Sequence, residues 1–124
     1  MPFKFKFAAV TLISAAAMPS SAQMLSAAEI EALFSKPVKF SYRANSGGIG
    51  KAEYAPDKKA WLSATVPSLN DTGTYRLDGD QHCVTWKTLR SGAEGCFRYE
   101  KTGDGSYKWL GKDGNVVGTL EIVK

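Results

Sequence analysis

Residues 73–99, GTYRLDGDQHCVTWKTLRSGAEGCFRY, contain two alternating runs, the tight turn between them and both cysteines of the chain. Apolar and polar side chains alternate before Gly79-Asp80 and again after it, which is the pattern of two strands joined as a β-hairpin. A two-residue loop needs a residue with positive φ, and Gly79 supplies it. The resulting register puts the apolar side chains of both strands on one face, whereas a slip by one residue would not. It pairs Asp78 with Gln81, Leu77 with His82, and Tyr75 with Val84.

The two cysteines share a strand phase. Cys83 lies in the second strand of the hairpin and Cys96 begins a third alternating run at 96–101, and both fall in phase with charged neighbours on the outward face. This placement suits a cross-strand disulfide, which would close a loop of about fourteen residues and contribute roughly 3 kcal/mol to stability. Two free thiols or half of a metal site are the alternatives. Because there is no third cysteine and His82 is the only histidine, we predict the disulfide and no metal site.

Residues 1–22 have the composition of a secretory signal peptide. Lys4 and Lys6 give a basic start, residues 7–17 are apolar and uncharged, and small residues at 20–22 suit cleavage. The apolar run is too short to span a bilayer permanently, so we expect no membrane span after processing. The mature chain would be one β-rich domain, residues 23–124, in an oxidising compartment, either the periplasm or the exterior.

The charge of the chain does not indicate a binding surface for a polyanion. The full chain has a net charge of +4, and removing Lys4 and Lys6, the only charged residues before position 23, leaves +2. No lysine-rich or arginine-rich run could follow a phosphate backbone, so we expect no nucleic-acid partner.

A short helix is predicted to precede the sheet. Ser26 and Glu29 have the spacing of a capping box, apolar residues recur at helical spacing from Ile30 to Phe34, and Lys36-Pro37 ends the run. We expect its apolar stripe to plug one end of a barrel or to cover a sheet face; binding a partner is the alternative.

Alternation predicts further strands at 38–43, 51–54, 61–66, 107–110 and 116–123, separated by turn sequences at 45–50, 56–59, 70–73, 103–106 and 111–115. About eight strands with short connections indicate a mainly β fold. We predict a small antiparallel meander, closed or partly closed into a lipocalin-like barrel, because closure removes the exposed edges.

The sequence carries little that predicts chemistry. His82 shares its phase with apolar side chains, which favours a core or cavity histidine over a catalytic base. Catalysis by a serine, His82 and an acid would require Asp71, Asp78 or Asp80 to converge with them, and no nucleophile elbow indicates this. The Asp-Gly pairs at 104–105 and 113–114 lack the repeated oxygen ligands of calcium loops, and residues 45–50 lack the lysine of a P-loop. We therefore expect no catalytic residue and no cofactor.

Aromatic residues alternate in strand register through the second half of the chain. Most are expected in the core, although several at an open barrel mouth would form a small apolar pocket. The candidate pocket residues are His82, Trp86, Tyr99 and Trp109.

Several of these features occur together: the exported start, LSAAEI at 25–30, GTYR at 73–76, DQHCVTW at 80–86, and CFRY at 96–99 followed by a Gly-Asp-Gly turn. In this combination the chain resembles a family of small exported bacterial proteins defined only as a domain of unknown function. The resemblance covers most of the mature chain, with Tyr75 where many relatives carry tryptophan, and it implies no activity. The layout of a compact barrel with one disulfide is also similar to that of periplasmic inhibitors of secreted metalloproteases and of lysozyme, by analogy of architecture.

Two functions follow as hypotheses. The first is a non-enzymatic binding module for an envelope component, a protein partner or a small-molecule ligand. The alternative is an inhibitor of a secreted or host hydrolase, a protease or a lysozyme, in which an exposed loop or the amino-terminal segment enters the cleft of the enzyme. An enzyme that uses His82 is a third and weaker hypothesis.

Overall fold

The computed structural model describes residues 23–124, and the predicted signal peptide lies outside them. This part of the chain contains one α-helix, nine strands and a 3₁₀ turn at Leu89–Gly92. The helix is α1 Ala27–Leu33. The strands are β1 Gln23–Met24, β2 Val38–Ala44, β3 Ile49–Tyr54, β4 Lys59–Val66, β5 Leu69–Asp78, β6 Gln81–Trp86, β7 Glu94–Gly103, β8 Ser106–Leu110 and β9 Val116–Ile122.

Strands β2 to β9 form a closed antiparallel barrel. Each pairs with the next along the chain, and β9 returns to pair with β2, so no strand of the barrel has a free edge. The short β1 adds to β7 beyond the point at which β6 begins. The predicted fold class, a small mainly β barrel with one amino-terminal helix, is confirmed.

The hairpin and the disulfide are also confirmed. Gly79 has a φ of 62°, and the three predicted pairs, Leu77 with His82 among them, are the ones found. Cys83 lies directly opposite Cys96, and the two are bonded. Although Cys83 is on the outward face, it is fully buried beside Arg76, its other cross-strand neighbour.

Helix α1 closes one end of the barrel. The Ser26 hydroxyl accepts the amide of Glu29, and the Glu29 carboxylate accepts the amide of Ser26, so the predicted capping box is present. Phe34, just past the helix, contacts aromatic rings from five strands and is therefore inside the barrel. The five are Phe40, Tyr54, Tyr75, His82 and Tyr99.

Some predicted turns are wrong. Residues 70–73 lie within β5, and the turn falls earlier, at Pro67-Ser68. The Asn-Asp-Thr-Gly sequence resembles a turn, but Asp71 is only 7% exposed, and its carboxylate bonds to a loop 17 residues away as well as to the neighbouring amide of Thr72. Likewise Ile49-Gly50 belongs to β3, because Gly50 pairs with Tyr42 across the strands.

Among residues 23–124, no helix combines the length and the apolar character needed to cross a membrane.

Candidate functional site

The two ends of the barrel differ. Helix α1 and Phe34 occupy the end at which β2 begins, so the opposite end carries the turns β2–β3, β4–β5, β6–β7 and β8–β9. Side chains that point inward near this second end are only partly buried, among them Trp86 and Trp109. This end of the barrel is therefore the open one.

A cavity of about 190 Å³ lies inside the barrel. Thirteen residues line it, and none of them is an aspartate, glutamate, lysine or arginine: Phe40, Tyr42, Ala52, Tyr54, Leu62, His82, Val84, Trp86, Leu89, Phe97, Tyr99, Trp109 and Leu120. All four candidate pocket residues from the sequence are in this set. A ligand role for them stays a prediction.

Pairs of an aromatic residue and a glycine shape the open half of the cavity. Tyr42 pairs across the strands with Gly50, Trp86 with Gly73, and Trp109 with Gly118. A Cβ at Gly118 would lie 2.6 Å from Cζ3 of Trp109, and one at Gly50 would lie 2.8 Å from the Tyr42 hydroxyl. A Cβ at any of these three glycines would also overlap neighbouring backbone, so only glycine fits there, and its missing side chain leaves room for the ring in the lumen.

His82 lies between the plug and the cavity. Its ring stacks on Phe34 with centroids 4.2 Å apart, and Tyr54 packs edge-on at 4.6 Å. Nδ1 is 2.7 Å from the Tyr99 hydroxyl, so one of these two groups donates to the other. The second ring nitrogen, Nε2, is buried and has no hydrogen-bond partner among the described residues. The predicted inward position of His82 is confirmed, but its hydrogen bonding is only half satisfied.

Burial keeps the ionisable groups of the cavity neutral. It lowers the pKa of His82 to about 3, so the imidazole carries no charge at physiological pH. It raises the pKa of Tyr99 well above its ordinary value, and that of Tyr54 likewise, with smaller contributions from neighbouring tyrosines. The cavity therefore offers hydrogen-bonding groups and aromatic surface without formal charge.

A fixed loop projects over the open end. Leu89, from the β6–β7 connection, contributes to the cavity wall. The buried carboxylate of Asp71 accepts the Leu89 amide at 2.9 Å and both the amide and the hydroxyl of Thr88. Burial by itself would raise the pKa of Asp71, but these hydrogen bonds outweigh it and the pKa is lowered. Asp71 thus acts as a brace that positions Leu89.

The roles of Leu89 and Asp71 at the cavity are not visible in the sequence, for different reasons. Leu89 is in a loop, where no periodicity marks an inward side chain. Asp71 resembled a turn residue. Tyr42 and Phe97, by contrast, were in phase with the core residues of their strands and could have been included with the candidate pocket residues.

The acidic residues considered for catalysis do not meet His82. Asp71 bonds to the β6–β7 loop, Asp80 pairs with Arg98 at 3.2 Å, and Asp78 lies 3.6 Å from Arg76. The Nδ1 atom of His82, which an acid would bind in a triad, is next to the Tyr99 hydroxyl instead.

Within residues 23–124, one group has the spacing of metal ligands: Cys83, Glu94 and Cys96. Its two sulfur atoms are bonded to each other, and Arg76 donates two hydrogen bonds to the Glu94 carboxylate, at 2.8 and 3.0 Å. The two sulfur atoms and the Glu94 carboxylate oxygens, which would coordinate an ion, are therefore already engaged in these contacts.

No protein-family model, curated protein or solved structure matches this chain. The resemblance to small exported bacterial proteins of unknown function therefore stays a prediction.

Proposed function

We propose that this protein is an exported, non-enzymatic binding module that takes a small, mainly apolar ligand into the open end of its barrel. The observation that carries the proposal is the internal cavity of about 190 Å³ with aromatic walls. A concave, largely apolar site with a few convergent polar groups is the usual form of a small-molecule site.

The disulfide supports the export part of the proposal. A single cross-strand bond between Cys83 and Cys96 fits a small domain in an oxidising environment. Together with the signal-peptide composition of residues 1–22, this favours the periplasm or the exterior, where the ligand would be a small molecule or an envelope component.

The rigidity of the wall supports the binding of a small molecule. Three of the lining rings lie over cross-strand glycines, and the Asp71 carboxylate fixes the backbone amide of Leu89. A preformed pocket loses little conformational entropy when it is filled, which favours affinity.

The three tryptophans allow a direct test with toluene as the ligand. Trp86 and Trp109 line the cavity, whereas Trp61 is on the outer surface and 41% exposed. In a ¹H–¹⁵N spectrum we expect toluene to shift the indole N–H signals of Trp86 and Trp109 and to leave that of Trp61 in place. The Ala52→Leu variant, which adds volume to the cavity wall, should lose these shifts. Equal movement of all three signals, or of none, would contradict the proposal.

Inhibition of a hydrolase is the second candidate, and the β6–β7 loop is the observation that favours it. Arg90 and Ser91 are exposed, and both have positive φ, 59° and 54°, although neither is a glycine. Such residues persist only where the surrounding structure imposes them, and they cluster at functional sites. Here Asp71 and the disulfide hold the loop at both sides.

Lysozyme and a secreted metalloprotease serve as test enzymes for this candidate. An inhibitor would slow one of them at stoichiometric concentrations, and Arg90→Ala should weaken the inhibition while Lys39→Ala, on the outside of β2, should not. Full activity of both enzymes in excess protein removes these two classes of target.

A further inference from the structure

His82 lines the cavity, and its Nε2 is a buried polar atom to which residues 23–124 supply no hydrogen-bond partner. Nδ1 is occupied by the Tyr99 hydroxyl, and one face of the ring is covered by Phe34. Nε2 is buried without a partner among residues 23–124, and His82 itself is 0% exposed. Buried polar groups are nearly always hydrogen-bonded, and a molecule bound in the cavity that His82 lines would supply the missing partner.

The electrostatics of the cavity limit what this molecule can be. No lining residue carries a formal charge, and neutral His82 provides none. A carboxylate, phosphate or ammonium group would lose its hydration here without a counter-ion. The part of the ligand that enters the cavity is therefore uncharged.

The hydrogen-bonding state of His82 selects the polar group. If the Tyr99 hydroxyl donates to Nδ1, then Nε2 carries the proton and donates; if Nδ1 donates to Tyr99, then Nε2 accepts. A hydroxyl group both donates and accepts, so it can pair with Nε2 in either tautomer. A carbonyl only accepts, so it fits one tautomer alone.

The volume and the walls select the rest of the molecule. A closed apolar cavity of about 150 Å³ is enough to hold benzene. The cavity found here, about 190 Å³, accommodates one ring with a short substituent. Trp86, Trp109 and Tyr42 present the faces and edges against which an aromatic ring packs well.

We propose that the ligand of this cavity is a neutral single-ring compound whose hydroxyl group, as in a phenol, binds Nε2 of His82. This inference rests on the proposed function, because it specifies the ligand of the same cavity.

Phenol and toluene test the inference, because they differ chiefly in the replacement of a hydroxyl by a methyl group. His82 is the only histidine, so labelling with ring-¹⁵N-histidine gives signals from its two ring nitrogens alone. In the wild-type protein we expect phenol to shift the Nε2 signal and toluene to leave it nearly unchanged, while both move the indole signals of Trp86 and Trp109.

Variants provide a second and independent measurement. The ratio of the toluene Kd to the phenol Kd should fall about tenfold in His82→Leu, as expected for the loss of one hydrogen bond. It should stay constant in Lys39→Ala, because Lys39 is exposed on the outside of β2 and does not line the cavity.

The outcomes separate the two proposals. If both compounds bind the cavity and neither shifts Nε2, the inference is wrong and the proposed function stands. If neither compound moves the cavity indole signals, both are wrong. Because the labelling experiment uses the wild-type protein, poor folding of His82→Leu would not prevent a decision.

Discussion

At the scale of single residues, His82 links the stability of the protein to pH. The histidine of the unfolded chain takes up a proton near pH 6.5, whereas folded His82, with a pKa of about 3, stays neutral. Between these values the unfolded state binds more protons, so stability must decrease as the pH falls. The groups that face its ring are Phe34, Tyr54, Tyr75 and Tyr99, and none of them supplies a negative charge that would oppose this effect.

We therefore predict that the free energy of unfolding drops by about 2 kcal/mol between pH 7.5 and pH 5, a window in which carboxylates contribute little. Denaturant titrations at several pH values measure this drop in the free energy of unfolding.

His82→Gln should be less stable at pH 7, by about 1–3 kcal/mol, because a buried hydrogen bond is lost. That variant should also lose the pH dependence between pH 6.5 and pH 5, and an unchanged slope would show that another group is responsible.

The glycine beneath Trp109 gives a second prediction at this scale. A Cβ at position 118 would overlap the Trp109 ring and the backbone of the neighbouring strand at Ala44. Gly118→Ala should therefore cost about 1–3 kcal/mol and displace the ring at the cavity mouth. Gly103→Ala is the matched control, because the nearest atom to a Cβ there is 3.8 Å away. Thermal unfolding compares the two variants. Similar melting temperatures would contradict the close packing of Gly118 against Trp109.

At the scale of elements, the disulfide joins β6 to β7 and closes the loop that carries Leu89. It spans a sequence separation of 13 residues, and constraining the unfolded chain over such a loop is its main physical effect. We predict that Cys83→Ser with Cys96→Ser loses roughly 2–4 kcal/mol of stability while the barrel and the cavity persist. Each single variant should lose about as much and also dimerise through its free thiol. Non-reducing mass spectrometry measures the disulfide state, and denaturant unfolding measures the stability. A double variant as stable as the wild type would contradict the predicted loss.

The brace between β5 and the β6–β7 loop gives a second prediction for an element. Removing the Asp71 carboxylate frees the amides of Thr88 and Leu89, so in Asp71→Ala both should exchange with solvent at least about tenfold faster. Because the folded pKa of Asp71 is lowered, its stabilisation is complete above the unfolded pKa of about 3.9 and is lost as the pH falls through the folded value. Asp57→Ala is the control, since Asp57 accepts only a local bond from Lys59. Unchanged exchange at Thr88 would mean that the loop is held by other contacts.

At the scale of the whole molecule, the protein combines a barrel plugged at one end, a charge-free cavity and an amino-terminal segment typical of export. The prediction at this scale concerns export. Replacing Leu12 and Ile13 by charged residues should leave unprocessed precursor inside the cell, because the apolar run is what the export machinery binds. Intact mass of the wild-type protein is the control, and material that still begins at Met1 would contradict the signal peptide.

The sequence by itself determined the local features of this protein. The hairpin at Gly79-Asp80, the helix cap at Ser26 and the inward phase of His82 follow from spacings of a few residues, and the disulfide follows from the phase of two neighbouring strands. Period-two alternation also indicated which aromatic residues face the interior, because the side chains of a strand alternate between faces whatever the tertiary context.

Only the tertiary structure decided what depends on distant parts of the chain. Asp71 lies in a strand because its carboxylate finds amides 17 and 18 residues away, and local sequence cannot reveal such a partner. Closure of the barrel depends on the pairing of β9 with β2. The position of the cavity depends on which end of the barrel Phe34 fills. Nε2 of His82 has no partner among residues 23–124, and this too is a property of the assembled interior, since it can be known only once every neighbour is in place.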